Sequence, residues 1–372
     1  MIGETVGQSR MEQRPETCQA VAGAYAQGAP APYGLTVRLG PTLVRVRSNV
    51  ADIIEELTGH YREFLDDAGA PDVVVSVMDR GPVKLDLPFV ERSRPGEAAK
   101  EDVVDLADGR VVRKRRTGLW LVFGPGGHCI LGPCRDNLDQ VVNYLNARAA
   151  DRELRAGARL LHAAGVALGE AGLAIAGLAG AGKSTLALEI MRHDATFVSN
   201  DRLLVGPGRQ GLVMTGIARM PRVNPGTILH NDRLAGLLTE AERTRFSHLS
   251  DRALRRLEYK YDVPIHACFG PGRFRLRARL RALAVLCWQP GGGALCSRWT
   301  TVAACPELLP AFMKDVGVFF EEGPRMAREA DYLDLLAECP LLVLEGGVDF
   351  QRAATLCLDW LRASGNATAC VA

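Results

Sequence analysis

In Gly177-Leu-Ala-Gly-Ala-Gly-Lys-Ser184, residue types and spacing specify chemistry most directly. The stretch fits G-x-x-x-x-G-K-[ST] in full, the pattern of a loop that cradles phosphates. Glycines let the backbone wrap until its N–H groups converge, and the helix that follows brings partial positive charge at its N-terminus. Lys183 supplies a mobile cation for β- and γ-phosphates, and Ser184 a hydroxyl for a Mg²⁺ bridging them. ATP is therefore expected on Gly177, Leu178, Ala179, Gly180, Ala181, Gly182, Lys183, Ser184 and the next residue, Thr185.

The flanks agree with that reading. An apolar run, Leu173-Ala-Ile-Ala176, predicts the strand that feeds such a loop, and Ser184 to Met191 has the apolar spacing of the helix that leaves it. Downstream, Ala195 to Asp201 reads as a strand ending in Asn200-Asp201, where a parallel strand would present an acid beside the loop. Asp201 is the expected Mg²⁺-associated carboxylate, although Asn-Asp is also a common turn pair. His162 precedes the feeding strand and suits a satisfied core or surface histidine at least as well as an acid/base partner.

With these residues in place the sequence resembles the HPr kinase/phosphorylase family, and more closely the HPr-kinase-related kinases of the B type. The likeness is good from His162 to Val205, loose before it and only in outline after it. It implies a P-loop kinase core like that of HPr kinase and phosphoenolpyruvate carboxykinase, with ATP and Mg²⁺ as cofactors. It also implies a catalytic set of Lys183, His162, Asn200 and Asp201, phosphate transfer to a serine of a protein substrate, and a homo-oligomer. Two departures matter. Asn200 stands where the family's first acidic residue takes the serine proton, and an amide cannot accept a proton as a carboxylate does. Either Asp201 performs both tasks, or transfer is weak, goes to another acceptor, or does not occur. Thr185 replaces a Glu of the bifunctional enzymes, so phosphorolysis is not expected here.

The elements that must position these groups can be sketched from periodicity. Residues 1–32 lack it and read as a flexible tail. An N-terminal α/β lobe is expected over residues 33–136. Its signals are a hairpin about Gly40-Pro41, a helix from Asn49 to Leu65, a strand at Val73 to Val77, and a second hairpin closed by Gly124 to Gly127. Within it, Arg113-Lys-Arg-Arg116 reads as a solvated turn rather than a nucleic-acid contact. Residues 137–372 form the expected nucleotide-binding domain, entered through one or two helices between Asn137 and Leu161. Arg219 to Gly226 suits an ordered loop near phosphates and a plain surface connection equally. Arg273 to Arg281 alternates strictly, which predicts a strand with five arginines on one face, more in keeping with a solvated edge than a docking surface. Helical spacing recurs at Pro306 to Phe320 and Phe350 to Leu361, on either side of a strand at Leu341 to Leu344. The fold class is α/β with a smaller N-terminal α/β lobe.

Bulk properties exclude several classes. Among 372 residues, 45 Lys and Arg face 43 Asp and Glu, leaving +2, too little for a global field that captures nucleic acid or an anionic membrane. No apolar run has the length of a membrane span, and the first residues show neither a signal core nor a transit pattern, so a cytoplasmic protein is expected. The ten cysteines lack metal-ligand spacing and read as free thiols.

Overall fold

The computed structural model describes residues 14–92, 98–257, 259–321 and 325–366. Two compact units emerge. One comprises residues up to Thr36, Val44–His60 and Ala70–Leu145; the other comprises Val37–Leu43, Tyr61–Gly69 and everything from Asn146 onward. The main division falls between Leu145 and Asn146, and the second unit also takes two short pieces from the N-terminal region.

The first unit begins with a helix where a tail was expected. Thr17 accepts a hydrogen bond from the Ala20 N–H and so caps α1 (Cys18–Ala26), whose Cys18, Val21 and Tyr25 are buried. Its mostly small residues give little periodic signal, which is why the sequence hides it; residues 1–13 of the expected tail lie outside the described residues. The eight strands are β1 (Tyr33–Leu39), β2 (Thr42–Ser48), β3 (Val73–Asp79), β4 (Val90–Arg92), β5 (Glu101–Leu106), β6 (Gly109–Lys114), β7 (Trp120–Phe123) and β8 (His128–Gly132). They form one sheet in the order β1-β2-β3-β8-β7-β6-β5-β4, and both expected hairpins are present in it. The helix after Asn49, α2 (Ala51–His60), stops five residues short of the expected Leu65.

The Arg113 cluster is not a free basic turn. Glu101 faces Lys114 and Asp102 faces Arg113 across the β5–β6 pair, with ion pairs of 2.6 and 2.7 Å, and Arg115 reaches Asp102 and Glu91. Opposite charges at directly facing positions fix the register of two strands that look only polar in sequence.

In the second unit, one helix rather than two, α3 (Leu138–Arg155), leads in, and Arg159–Leu161 is a strand, β9. Then come β10 (Ala163–Leu168) and β11 (Ala171–Gly177), a hairpin closed by Gly169-Glu170, and α4 (Lys183–Ile190). They are followed by β12 (Thr196–Ser199), β13 (Leu203–Gly208), β14 (Gly211–Gly216), the short β15 (Arg222–Val223) and α5 (Pro225–Leu229). Next are α6 (Glu240–Ser247), α7 (Asp251–Arg256), β16 (Tyr261–Asp262), α8 (Ile265–Phe269), β17 (Arg277–Leu286) and β18 (Leu295–Thr301). The last described elements are α9 (Glu329–Leu336), β19 (Pro340–Gly346) and α10 (Phe350–Asn366).

Strand β11 pairs parallel with β17 and antiparallel with β10, and β10 pairs antiparallel with β12. Strand β12, which Asp201 follows by two residues, therefore runs in the same direction as β11 but lies one strand away, with β10 between them. Ala174 and Ala176 of β11 cluster with Leu283, Val285, Phe312, Tyr332 and Leu336 to form the core beneath the site. The expected helix at Pro306 to Phe320 is only a 3-10 turn, Pro306–Ala311, after which Met313 bridges to Leu161 of β9. No helix among the described residues is long and apolar enough to cross a membrane.

Candidate functional site

The Gly177–Ser184 stretch turns from β11 into α4 as its pattern predicts. Gly180 and Gly182 have φ of 81° and 98°, a region that residues with a Cβ rarely enter. A Cβ on Gly182 would also come within 2.7 and 2.8 Å of the Phe350 ring. Outside the loop, the Trp288 Nε1–H donates to the Ala181 carbonyl at 2.8 Å, and the Trp288 and Phe350 rings meet edge-on with centroids 5.2 Å apart. The loop is thus braced from behind by two aromatic side chains. Gly182, as N-cap, has no side chain to satisfy the first N–H groups of α4, which also lack partners within the helix. An anion suits that position.

Lys183 is only 8% exposed, and its Nζ donates to the carbonyls of Gly177 and Leu178 at 2.9 and 3.2 Å. Burial lowers its pKa, the charge of Asp201 opposes that shift, and Lys314 adds to it. An ammonium held only by two loop carbonyls is available to a phosphate. Ser184 lies half-buried in the first turn of α4. The Thr185 hydroxyl is turned away to Thr227, 2.8 Å distant, leaving its backbone as the part suited to a phosphate.

Asp201 follows β12 and brings the second half of the site together. Its Oδ1 lies 3.0 Å from Nε2 of His162, and its Oδ2 lies 3.4 Å from Nζ of Lys314. The His162 hydrogen bond, with the Lys314 charge behind it, holds the Asp201 carboxyl well below the usual carboxylate range. His162 is therefore not a core residue but the partner of Asp201, and its backbone N–H donates to the Phe312 carbonyl at 2.8 Å. Asn200 is partly buried, and its Oδ1 has no hydrogen-bond partner. Lys314 was missed in the sequence because it lies in a segment read as an amphipathic helix. Its one visible signal is a lone cation directly after Phe312-Met313.

Thr185 and Phe350 also line a cleft of about 450 Å³, together with Thr227, His230, Asn231 and Asp349. The Arg219 to Gly226 segment does not itself line this cleft, but it leads through β15 into α5, whose Thr227 meets Thr185 there. The arginine row, by contrast, serves packing. Strand β17 begins only at Arg277; before it, Arg273 donates to the carbonyls of Ala195 and Met191 at 2.8 and 2.9 Å, capping the chain where α4 ends. Arg275 pairs with Glu170 at 3.0 Å in the β10–β11 turn, and Arg279 reaches the Gln210 carbonyl at 3.2 Å.

Among the described residues no three His, Cys, Asp or Glu gather as a metal cage. Mg²⁺ shared with phosphates needs only one or two carboxylates, and the Ser184 hydroxyl and Asp201 carboxylate are oxygen donors of the kind it takes. The described cysteines are free thiols, and burial pushes Cys339 and Cys357 up to about 12, away from nucleophilic use.

No family model and no curated protein matches this chain. Among solved structures, it is similar to the Hpr(Ser) kinase/phosphatase of Coxiella burnetii, at 10% identity over 56% of this chain and 98% of that one, with a TM-score of 0.29. So loose a superposition carries no weight beside the residues described above.

Proposed function

We propose that this protein is a cytoplasmic ATP- and Mg²⁺-dependent kinase of the HPr-kinase-related type, transferring the γ-phosphate to a hydroxyl, most simply that of a serine in a protein substrate. The observation that carries the reading is the complete loop from Gly177 to Ser184 leading into an uncapped α4, with Lys183 held by carbonyls of the loop itself. The loop N–H groups and Lys183 would hold the β- and γ-phosphates, and Ser184 and Asp201 would hold the metal. Bound Mg²⁺ offsets charge on the phosphate oxygens. The cleft beyond Thr185 has the size and mixed lining to receive a nucleoside. His162, 3.0 Å from Asp201, would orient that carboxylate and relay the proton of the acceptor hydroxyl.

Transfer of label from γ-labelled ATP to proteins of the cell of origin tests this reading, with a labelled serine as the expected result. Intact ATP binding without any acceptor counts against it.

A second reading, a nucleotide-dependent switch or slow ATPase, is favoured by one observation: Asn200 supplies no base, and Asp201 is engaged by His162 and Lys314. Asn200→Asp separates the two. A gain of about 10²-fold or more in transfer would show that the natural chain lacks the proton acceptor, as the switch reading requires. No gain leaves Asp201 and His162 in that role.

A further inference from the structure

We propose that Lys314 is a second phosphate-binding cation of this site, parked on Asp201 until that carboxylate turns to a metal and then free to hold the terminal phosphate. The inference rests on the reading of Gly177–Ser184 as an ATP–Mg²⁺ loop, and it adds a residue that lies outside every nucleotide-binding motif.

Hydrogen bonds of its own backbone fix the position of Lys314. Tyr332, nearly fully buried, accepts the Lys314 backbone N–H at 3.2 Å, and its hydroxyl donates toward the carbonyls of Leu160 and Lys314. Met313 bridges to Leu161, and the Phe312 carbonyl takes the His162 N–H. Residues 312–314 therefore run beside the strand that delivers His162, so both basic side chains start from one rigid edge and meet at Asp201. The lysine is the looser partner by distance, 3.4 Å against 3.0 Å for the histidine, while both side chains are about a quarter exposed. An ion pair this open has little net strength, so an incoming anion can break it.

Charge balance gives the direction of the change. Asp201 contacts Lys314 directly at 3.4 Å and lies within electrostatic reach of Lys183, whose charge it favours while Lys314 disfavours it. When Asp201 engages a divalent cation, Lys314 loses its counter-ion and faces a like charge instead. A terminal phosphate held by that metal would offer Lys314 a replacement counter-ion, and a flexible ammonium can follow it.

Calorimetry on the full chain with ATP–Mg²⁺, ADP–Mg²⁺ and Mg²⁺ alone tests this for the parent, Lys314→Met and Lys314→Arg. Lys314→Met should weaken ATP about tenfold, the scale of one lost charged contact, while changing ADP less than about twofold. It should also tighten Mg²⁺ alone, because Asp201 is freed. Lys314→Arg should restore most of the ATP affinity. Equal loss for both nucleotides, or no loss for either, overturns the proposal and makes Lys314 a structural partner of Asp201. If the parent binds neither nucleotide, the loop assignment itself falls and the proposal with it.

Discussion

Two aspartates in this molecule are each held between two basic side chains, and they differ in nearly everything else. Asp102 in the first unit lies 2.7 Å from Arg113 and 2.6 Å from Arg115, with 2% of its side chain exposed. Asp201 in the second unit is held by His162 and Lys314 at 3.0 and 3.4 Å, with 49% exposed. Hydrogen bonds lower both carboxyl pKa values, chiefly from Arg115 in the first case and from His162 in the second. A perturbed carboxylate alone therefore does not mark a functional site. Asp102 is saturated by planar guanidinium groups that fit a carboxylate closely, and it fixes strand register. Asp201 keeps looser partners, open water and a place beside a phosphate-type loop, so its contacts can be exchanged.

The largest effects should come from the loop on the Asp201 side. Lys183→Ala should reduce turnover by about 10³-fold or more while some nucleotide affinity survives on the backbone N–H groups, since the ammonium matters most as charge moves in the transition state. Gly182→Val should remove binding itself. The expectation from the motif is a side chain intruding on the phosphates. Instead the structure points that side chain at Phe350 and forces a left-handed φ on a branched residue, so the loop would be displaced. Calorimetry and turnover on both variants check this, and parent-like behaviour in both would remove the loop from the mechanism.

Asp201→Asn comes next and addresses the comparison directly. Turnover should fall by about 10²-fold or more, whereas stability should change by less than ~1 kcal/mol, because a half-exposed pair contributes little to folding. A large loss of stability with turnover retained would make Asp201 a second Asp102.

How much of this could be read beforehand depended on whether a feature is continuous in the chain. The loop, its strand and its helix occupy one stretch, and their glycines and apolar spacing carry the geometry locally, so Gly177 to Met191 matched its expectation. The Asp201 corner gathers His162, Asp201 and Lys314 from separate segments, the last 113 residues beyond Asp201, and nothing local at Lys314 announces its partner. Polar strands β4 to β6 were obscured in the same way, because cross-strand ion pairs replace the hydrophobic alternation by which a strand is recognised. The Arg273 row was legible as an alternating segment, but not its work of capping the turn after α4, since those carbonyls come from elsewhere in the chain.

Asp102→Asn should give the converse of the Asp201 result. Removing a covered charge that answers two guanidinium groups should destabilise the fold by about 2 kcal/mol, a value tempered by the exposure of both arginines. Nucleotide binding should be unchanged. Urea unfolding at pH 7 with calorimetry on the same sample checks both halves, and a loss of ATP affinity at constant stability would overturn the structural assignment.

The smallest and most specific effect is in the pH dependence of that difference. The folded-state pKa of Asp102 is lowered below the ordinary value, with the Arg115 hydrogen bond as the main cause, and an unfolded carboxyl titrates near ~3.9. A group with a lowered folded pKa binds its proton less readily when folded. Its stabilisation is therefore complete above the unfolded pKa and disappears as pH falls through the folded one. The gap in urea midpoint between the parent and Asp102→Asn should stay constant from about pH 7 to pH 5 and shrink below about pH 4. The same series for Asp201→Asn should bend in the same direction with smaller amplitude, because water already screens that pair. If the Asp102 gap persists undiminished into acid, its contribution comes from shape and neutral hydrogen bonding rather than charge, and the likeness between the two aspartates reduces to geometry.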